Sequence, residues 1–312
     1  MKIVKQVDIT KSMKVKDLIN QFNDSGVMGA GRIAQAVDIG RAMKAEKKKG
    51  LKIFFGQAGA MVPGGMKNII IDMLEEGYID VFVTTGATLT HDMAEAFGLH
   101  HYQGSSHADD AVLLKKGLDR MYDSYMPNKV YEVLEDFFKE NFDSFKDLRT
   151  VKDFLWTIGK LMPSTHKSIL RTCYVKKIPI FCPAISDSGI GLMIWGQIAR
   201  GRKIETNTFE DLREILKIAW DAKKAGVFYV GGGVPKNYIQ QAMQFSPKAA
   251  EYGIQITTDR PEFGGSSGAE LKEGISWGKM NPEGTFVNVT CDATIAFPLL
   301  IAGAFWDKIK KK

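Results

Sequence analysis

Six stretches of this chain share one local design: four to six apolar residues that run into Gly, Ser, Thr, Asp or Pro and then into a helical pattern. They are "LKIFF" (51–55), "IDVFVTTGATLTHD" (79–92), "IPIFCPAISDSGIG" (178–191), "AGVFYVGGGVPKN" (225–237), "YGIQITTDRPEFGG" (252–265) and "TFVNVTCDATIAFP" (285–298). Strands this apolar need cover on both faces, which a parallel sheet between helical layers supplies. Helical stripes lie between them, such as Met66, Ile69, Ile70, Met73 and Leu74, or Val130, Val133, Leu134, Phe137 and Phe138.

The predicted fold class is therefore α/β: a doubly wound, mostly parallel, Rossmann-like sheet with helices on both faces. One domain is expected over 1–312. The segment 103–128 has no clear strand signal and reads as a helical and loop insertion. Ligands of such sheets collect outside the carboxyl ends of the strands, where nearly all the glycine-rich and polar signals fall.

Composition excludes several classes. No apolar run reaches the roughly 18 residues of a membrane span, and "MKIVKQVDITKS" lacks the apolar core of a secretion signal. Three cysteines, Cys173, Cys182 and Cys291, form no C-x-x-C pair, against a disulfide framework or thiolate metal site. A cytoplasmic protein is expected. The net charge of +6 owes four lysines to the terminal "KIKKK", and "KAEKKKG" (44–50) reads as a solvated helix end. No basic stripe is interleaved with aromatics, so no nucleic-acid partner is expected.

Each strand end carries two readings. Gly231, Gly232 and Gly233 let a backbone approach a ligand, or simply make a tight turn; Pro235 suits the first turn of the next helix. Thr84, Thr85 and Gly86 can bind a phosphate or ribose, or satisfy their own turn. Asp187 and Asp292 can accept from a ribose hydroxyl or cap a helix. No G-x-G-x-x-G opens a helix after a first strand, so a dinucleotide would need other turns. His91, His100, His101 and His107, with Asp92, Asp109 and Asp110, crowd one stretch but match no metal-ligand spacing; no metal is expected. "EGISWGKM" sets Lys279 one glycine past Trp277. A lysine has a pKa of about 10.4, so only an enclosed amine serves as a nucleophile; the plain alternative is a surface lysine paired with Glu273.

Together, "VTTGATLTHD" (83–92), "CPAISDSGIG" (182–191), "VGGGVPKN" (230–237), "SGAELKEGISWGK" (267–279) and "CDATIAFPLL" (291–300) resemble the deoxyhypusine synthase family, most closely its archaeal branch. The resemblance runs from about residue 10 to residue 306. It implies an NAD-dependent transferase that oxidises spermidine and holds the aminobutyl group on Lys279 as an imine. That group then passes to a lysine of the precursor of translation factor 5A. It further implies Trp277 and Glu273 as polyamine contacts, with Thr85, Asp187, Gly233, Thr258, Ser267 and Asp292 for NAD, and a homotetramer.

Several positions depart from the eukaryotic pattern. Asn237 stands for a histidine, Leu192 and Ser266 for acids, and His91 for a glutamate; the first glycine-rich turn is "GQAGAMVPGG". Asn237 is kept as a substrate contact and His91 as a candidate base, since an imidazole near its ordinary pKa suits proton transfer. Alternatives within this chemistry are transfer to a free diamine, as homospermidine synthases do, or a non-catalytic regulatory homologue. A plain NAD dehydrogenase would need no imine-forming lysine.

Overall fold

The computed structural model describes residues 1–305; the tail "KIKKK" lies outside them. α1 (Val15–Ser25) and α2 (Met28–Glu46) lead into β1 (Leu51–Gln57), α3 (Lys67–Glu75), β2 (Val81–Thr84) and α4 (Gly86–Ala96). Next come β3 (Tyr102–Gln103), α5 (Asp110–Lys115), β4 (Leu118–Met121) and β5 (Ser124–Pro127). α6 (Lys129–Asn141), α7 (Val151–Leu161), α8 (Ile169–Lys176), β6 (Ile180–Phe181), α9 (Gly189–Ala199) and α10 (Thr208–Asp221) follow. The chain ends with β7 (Lys224–Val230), α11 (Gly233–Gln244), β8 (Ala250–Thr257), β9 (Met280–Thr290) and α12 (Ala293–Ala304). It divides into two compact units: Met1–Gln57, Tyr78–Val81 and the residues from Ile215 on, and Ala58–Gly77 with Phe82–Glu214.

In the first unit β1, β7, β8 and β9 pair in that order, every pair parallel. Adjacent residues of a strand face opposite sides, and β7 makes this visible. Phe228 packs against Phe55 and against Phe297 of α12, whereas Tyr229 accepts a 3.0 Å hydrogen bond from Gln240 of α11. Helices therefore cover both faces, as the continuous apolar strands require. Phe55, Phe228 and Phe297 are fully buried.

In the second unit β2 and β6 pair in parallel, Phe82 with Ile180 and Val83 with Phe181. Its core holds the rings of Phe137, Phe138, Phe145 and Phe154 in mutual contact. The expected helical and loop insertion at 103–128 is a small antiparallel sheet instead, in the order β3-β5-β4, with only the short α5 beside it. "LDRM" and "SYMP" carry no apolar run, because these strands are half-exposed and their register comes from antiparallel pairing, Leu118 with Pro127 to Met121 with Ser124.

No helix among the described residues is long and apolar enough to cross a membrane. The three cysteines are free. Burial pushes the Cys182 thiol up to about 12, far from a reactive thiolate.

Candidate active site

Around Lys279 the backbone explains the spacing of "EGISWGK". A short 3-10 turn covers Leu271–Ile275. Gly278 then takes φ +70°, a left-handed conformation that favours glycine. This reversal lets the Lys279 N–H donate to the Gly274 carbonyl at 2.8 Å, and the Lys279 carbonyl accepts from Ala250 N at the start of β8. Lys279 thus enters β9 with its side chain beside the preceding turn. Its Nζ lies 4.8 Å from the centre of the Trp277 ring, within cation–π range.

Lys279, Trp277, Glu273 and Asn237 line one cleft of about 380 Å³ in the first unit. The cleft is open rather than enclosed: Trp277 is 57% exposed and Lys279 half-buried. Its opposite wall is α11, whose Asn237, Gln240, Gln241 and Gln244 recur at helical spacing. Gln240 is buried, and its Oε1 has no hydrogen-bond partner among the described residues.

The loop forming the other wall is clamped from beneath. Lys236 Nζ donates to the carbonyls of Ser266 and Ala269, both at 2.6 Å. Gln255 Nε2 donates to the carbonyls of Ser267 and Ala269 at 3.2 and 3.3 Å. Leu271 N donates to Asn288 Oδ1 at 3.2 Å. Lys236 is 5% exposed; burial draws its pKa down to about 8, Glu273 pulls the other way, and the charge of Lys279 adds to the lowering. Lys236 and Gln240 were missed in the sequence, although their offsets from Asn237 on one helix are a signal that could have found Gln240.

The strand ends hold the remaining expected residues. In the first unit Gly233 N donates to Ser267 Oγ at 2.8 Å. A Cβ on Gly233 would meet nothing nearer than that Oγ at 3.9 Å, so the ledge at the start of α11 is open. Thr258 and Asp292 are exposed just past β8 and β9. Asp292 caps α12, accepting from Thr294 N at 2.7 Å. In the second unit Thr85 caps α4, its Oγ1 accepting from Thr88 N at 3.3 Å. Ser188, not Asp187, caps α9, accepting from Gly191 N at 3.1 Å. Asp187 is left exposed. Gly86 and Ser188 meet so closely that a Cβ on Gly86 would lie 2.4 Å from Ser188 Cβ; this contact sets the starts of α4 and α9 against each other. Within the first unit, the open ledge at the start of α11 and the exposed Asp292 suit a phosphate and a ribose hydroxyl.

His91 lies on α4 in the second unit and differs from the expectation of an imidazole near its ordinary pKa. Its Nδ1 is 3.0 Å from His101 Nε2, and His101 Nδ1 is 2.9 Å from Glu95 Oε1; Lys67 pairs with the other Glu95 oxygen. Burial lowers His91 to about 4, His101 adds to the lowering and Glu95 opposes it. Burial works to raise Glu95, but the hydrogen bonds from His101 and Lys67 hold its carboxyl below the ordinary value. The nearby acids are engaged elsewhere: Asp109 caps α5 and Asp110 takes a bidentate pair from Arg120.

A parallel α/β sheet with a lysine, an indole and a carboxylate on the turn before β9, facing the amides of α11 across one cleft, defines an enzyme of the group-transfer type. The chain belongs to the deoxyhypusine synthase family, which matches it over residues 17–304, and it is a transferase. It is 43% identical over 300 residues to the probable deoxyhypusine synthase 1 of Methanosarcina acetivorans, covering 96% of this chain and 93% of that one. Identity is 38% over 295 residues with the probable deoxyhypusine synthase 1 of Archaeoglobus fulgidus, covering 95% of each. Among solved structures, one described as a candidate deoxyhypusine synthase from Entamoeba histolytica shares the fold, with a TM-score of 0.63 at 19% identity over 97% of this chain and 96% of that one.

Proposed function

We propose that this chain forms deoxyhypusine, carrying the aminobutyl group of spermidine on Lys279 to a lysine of the precursor of translation factor 5A. The observation that carries the reading is the cleft shared by Lys279, Trp277, Glu273 and Asn237. NAD, when bound, supplies the hydride acceptor that turns an amine of spermidine into an imine, and later the hydride that reduces the product. Thr85, Asp187, Gly233, Thr258, Ser267 and Asp292 are the residues proposed to hold it. Family membership supports this reading over transfer to a free diamine or a regulatory role.

Lys279 contributes its Nζ as nucleophile. Attack on the imine carbon releases the three-carbon diamine and leaves the aminobutyl group bound to Nζ as a new imine. The acceptor lysine then attacks the same carbon and frees Nζ. Trp277 offers a π face to an ammonium of the substrate, and Glu273 a counter-charge. Asn237, with both an amide donor and an acceptor, orients the amine.

A homotetramer is part of the proposal. Leu192, Trp195 and Ile198 are exposed on α9, an uncovered apolar strip of the kind that a subunit contact buries. The free cysteines support a cytoplasmic setting.

The test is intact-mass analysis after incubation with spermidine and NAD, borohydride trapping and peptide mapping. An aminobutyl adduct on Lys279, absent from Lys279→Ala, is expected. An adduct on another residue, or none while NAD binds, would sink the proposal.

A further inference from the structure

Gln240 puts a bare carbonyl oxygen into the wall of the Lys279 cleft. Two neighbours set the sense of its amide: Nε2 lies 3.0 Å from the Tyr229 hydroxyl and 3.5 Å from Met280 Sδ. A thioether sulfur accepts and does not donate, so the amide atom facing it is the NH2. Oε1 is the atom left over, and it has no hydrogen-bond partner among the described residues. The side chain is 5% exposed, which keeps water from that oxygen as well. Buried acceptors left unmet are costly and rare in native folds. Only a donor on a side chain already packed beside it can reach it.

In front of Oε1 stands the turn that leads to the nucleophile. A Cβ on Gly274 would lie 3.3 Å from Gln240 Oε1 and 3.5 Å from Lys279 Cβ. Those two contacts put Oε1 within about 7 Å of Lys279 Cβ, inside the reach of a lysine stem that ends in a hydrogen bond. Lys279 Nζ rests 4.8 Å from the centre of the Trp277 ring and makes no hydrogen bond or ion pair among the described residues. A π face attracts a cation but gives the lone pair of a neutral amine no direction. The other lysine lining the cleft is engaged: Lys236, one turn before Gln240 on α11, donates to the carbonyls of Ser266 and Ala269. Lys279 thus has N–H groups without an acceptor, and its neighbour an acceptor without an N–H.

We infer that Gln240 is a positioning residue for Lys279: its Oε1 accepts one N–H of the Lys279 amine when the stem swings off Trp277, and so aims the Nζ lone pair at the substrate carbon. After attack one N–H remains on the protonated imine, and the same oxygen accepts it. A neutral amide suits this task, because a carboxylate at the same place would hold the amine as an ammonium and take away its lone pair. The inference deepens the proposed function and rests on it for the substrate.

The test compares the full-length wild type with Gln240→Met and Gln240→Glu. Gln240→Met keeps the length and packing of the side chain without its amide. In single turnover at saturating spermidine and NAD, the borohydride-trapped adduct on Lys279 is expected to form about tenfold more slowly in Gln240→Met, the worth of one good hydrogen bond. The spermidine concentration giving half the maximal rate should not move, because Gln240 holds the amine and not the substrate. Gln240→Glu is read without substrate, by acetic anhydride labelling of Lys279 over a series of pH values with peptide mapping. The pH of half-maximal labelling should rise by about one unit or more over the wild type. Lys236, Glu270 and Glu273, the other charged groups lining the cleft, are the same in every variant. A Gln240→Met variant that forms the adduct at the wild-type rate overturns the inference, and so does a Gln240→Glu variant with an unmoved labelling profile. If Gln240→Met does not fold, the labelling profile of Gln240→Glu decides. If the wild type forms no adduct, the transferase reading fails, and the same profile still decides whether Gln240 meets Lys279.

Discussion

Lys236 donates through its Nζ to the carbonyl of Ser266, 30 residues further along the chain, at 2.6 Å. A second bond of the same length to Ala269 completes a clamp on the loop that forms one wall of the cleft. The lysine is a buried cation held by backbone oxygens alone, and its charge is disfavoured by burial.

That gives stability a pH signature. The folded chain holds the Lys236 proton only up to about pH 8, against an ordinary lysine value of 10.5. Between those limits the unfolded chain binds more protons, so this group makes stability rise with pH across the window. Relative to Lys236→Met, the wild type should gain of order 3 kcal/mol between pH 7.5 and pH 10.5. Urea unfolding of both proteins at the two pH values measures it; parallel behaviour would mean that Lys236 titrates normally.

Gly278 sets where Lys279 stands. At φ +70° an alanine costs more than about 1 kcal/mol, and the reversal that returns Lys279 N to Gly274 O is what it disturbs. Gly278→Ala should slow formation of the trapped adduct by about a hundredfold, the cost of a nucleophile misplaced by an ångström. Single-turnover trapping at saturating spermidine reads this directly. An unchanged rate would show that the turn tolerates the substitution.

Trp277 and Lys279 were legible in the sequence, because an indole and a lysine flanking a glycine at a strand start stand out from an apolar background. The six strand ends were legible for the same reason. Lys236 was not: in "VPKN" it reads as a solvated lysine of a helix start, and its partners are carbonyls 30 and 33 residues away. The His101–Glu95 support of His91 was hidden likewise, since a six-residue separation at a helix end shows no contact in the sequence. The antiparallel sheet at 103–128 escaped notice because strands of two to four residues are too short to show a period of two.

For Trp277 the expectation concerns substrate. Its ring is 57% exposed and already within reach of one cation. Trp277→Leu removes the π face while keeping an apolar side chain, and should raise KM for spermidine about three- to tenfold. Steady-state kinetics with spermidine varied at saturating NAD tests it. A fall in kcat with KM unmoved would place the ring's work in the transfer step instead.

The motif "THD" divides its two ionisable residues between two tasks, because neighbours on a helix point about 100° apart. His91 meets His101, its Nδ1 3.0 Å from His101 Nε2, whereas Asp92 turns fully inward. Asp92 accepts from Ser168 Oγ at 2.8 Å, Ile169 N at 2.8 Å and Leu170 N at 3.0 Å, closing the N-terminus of α8 from α4. Burial raises its pKa while these three bonds and Lys67 oppose that rise. Asp92→Ala would orphan two backbone N–H groups and a hydroxyl at a buried helix end, a loss of about 3 kcal/mol. Ser168→Ala alone should cost about 1 kcal/mol, and adding it to Asp92→Ala should cost less than that, since the shared bond is already gone. Chemical denaturation of the two single variants and the double variant measures the coupling. Strict additivity would mean that Asp92 stabilises α8 through its backbone contacts alone, and Ser168 through its own cap on Arg171 N.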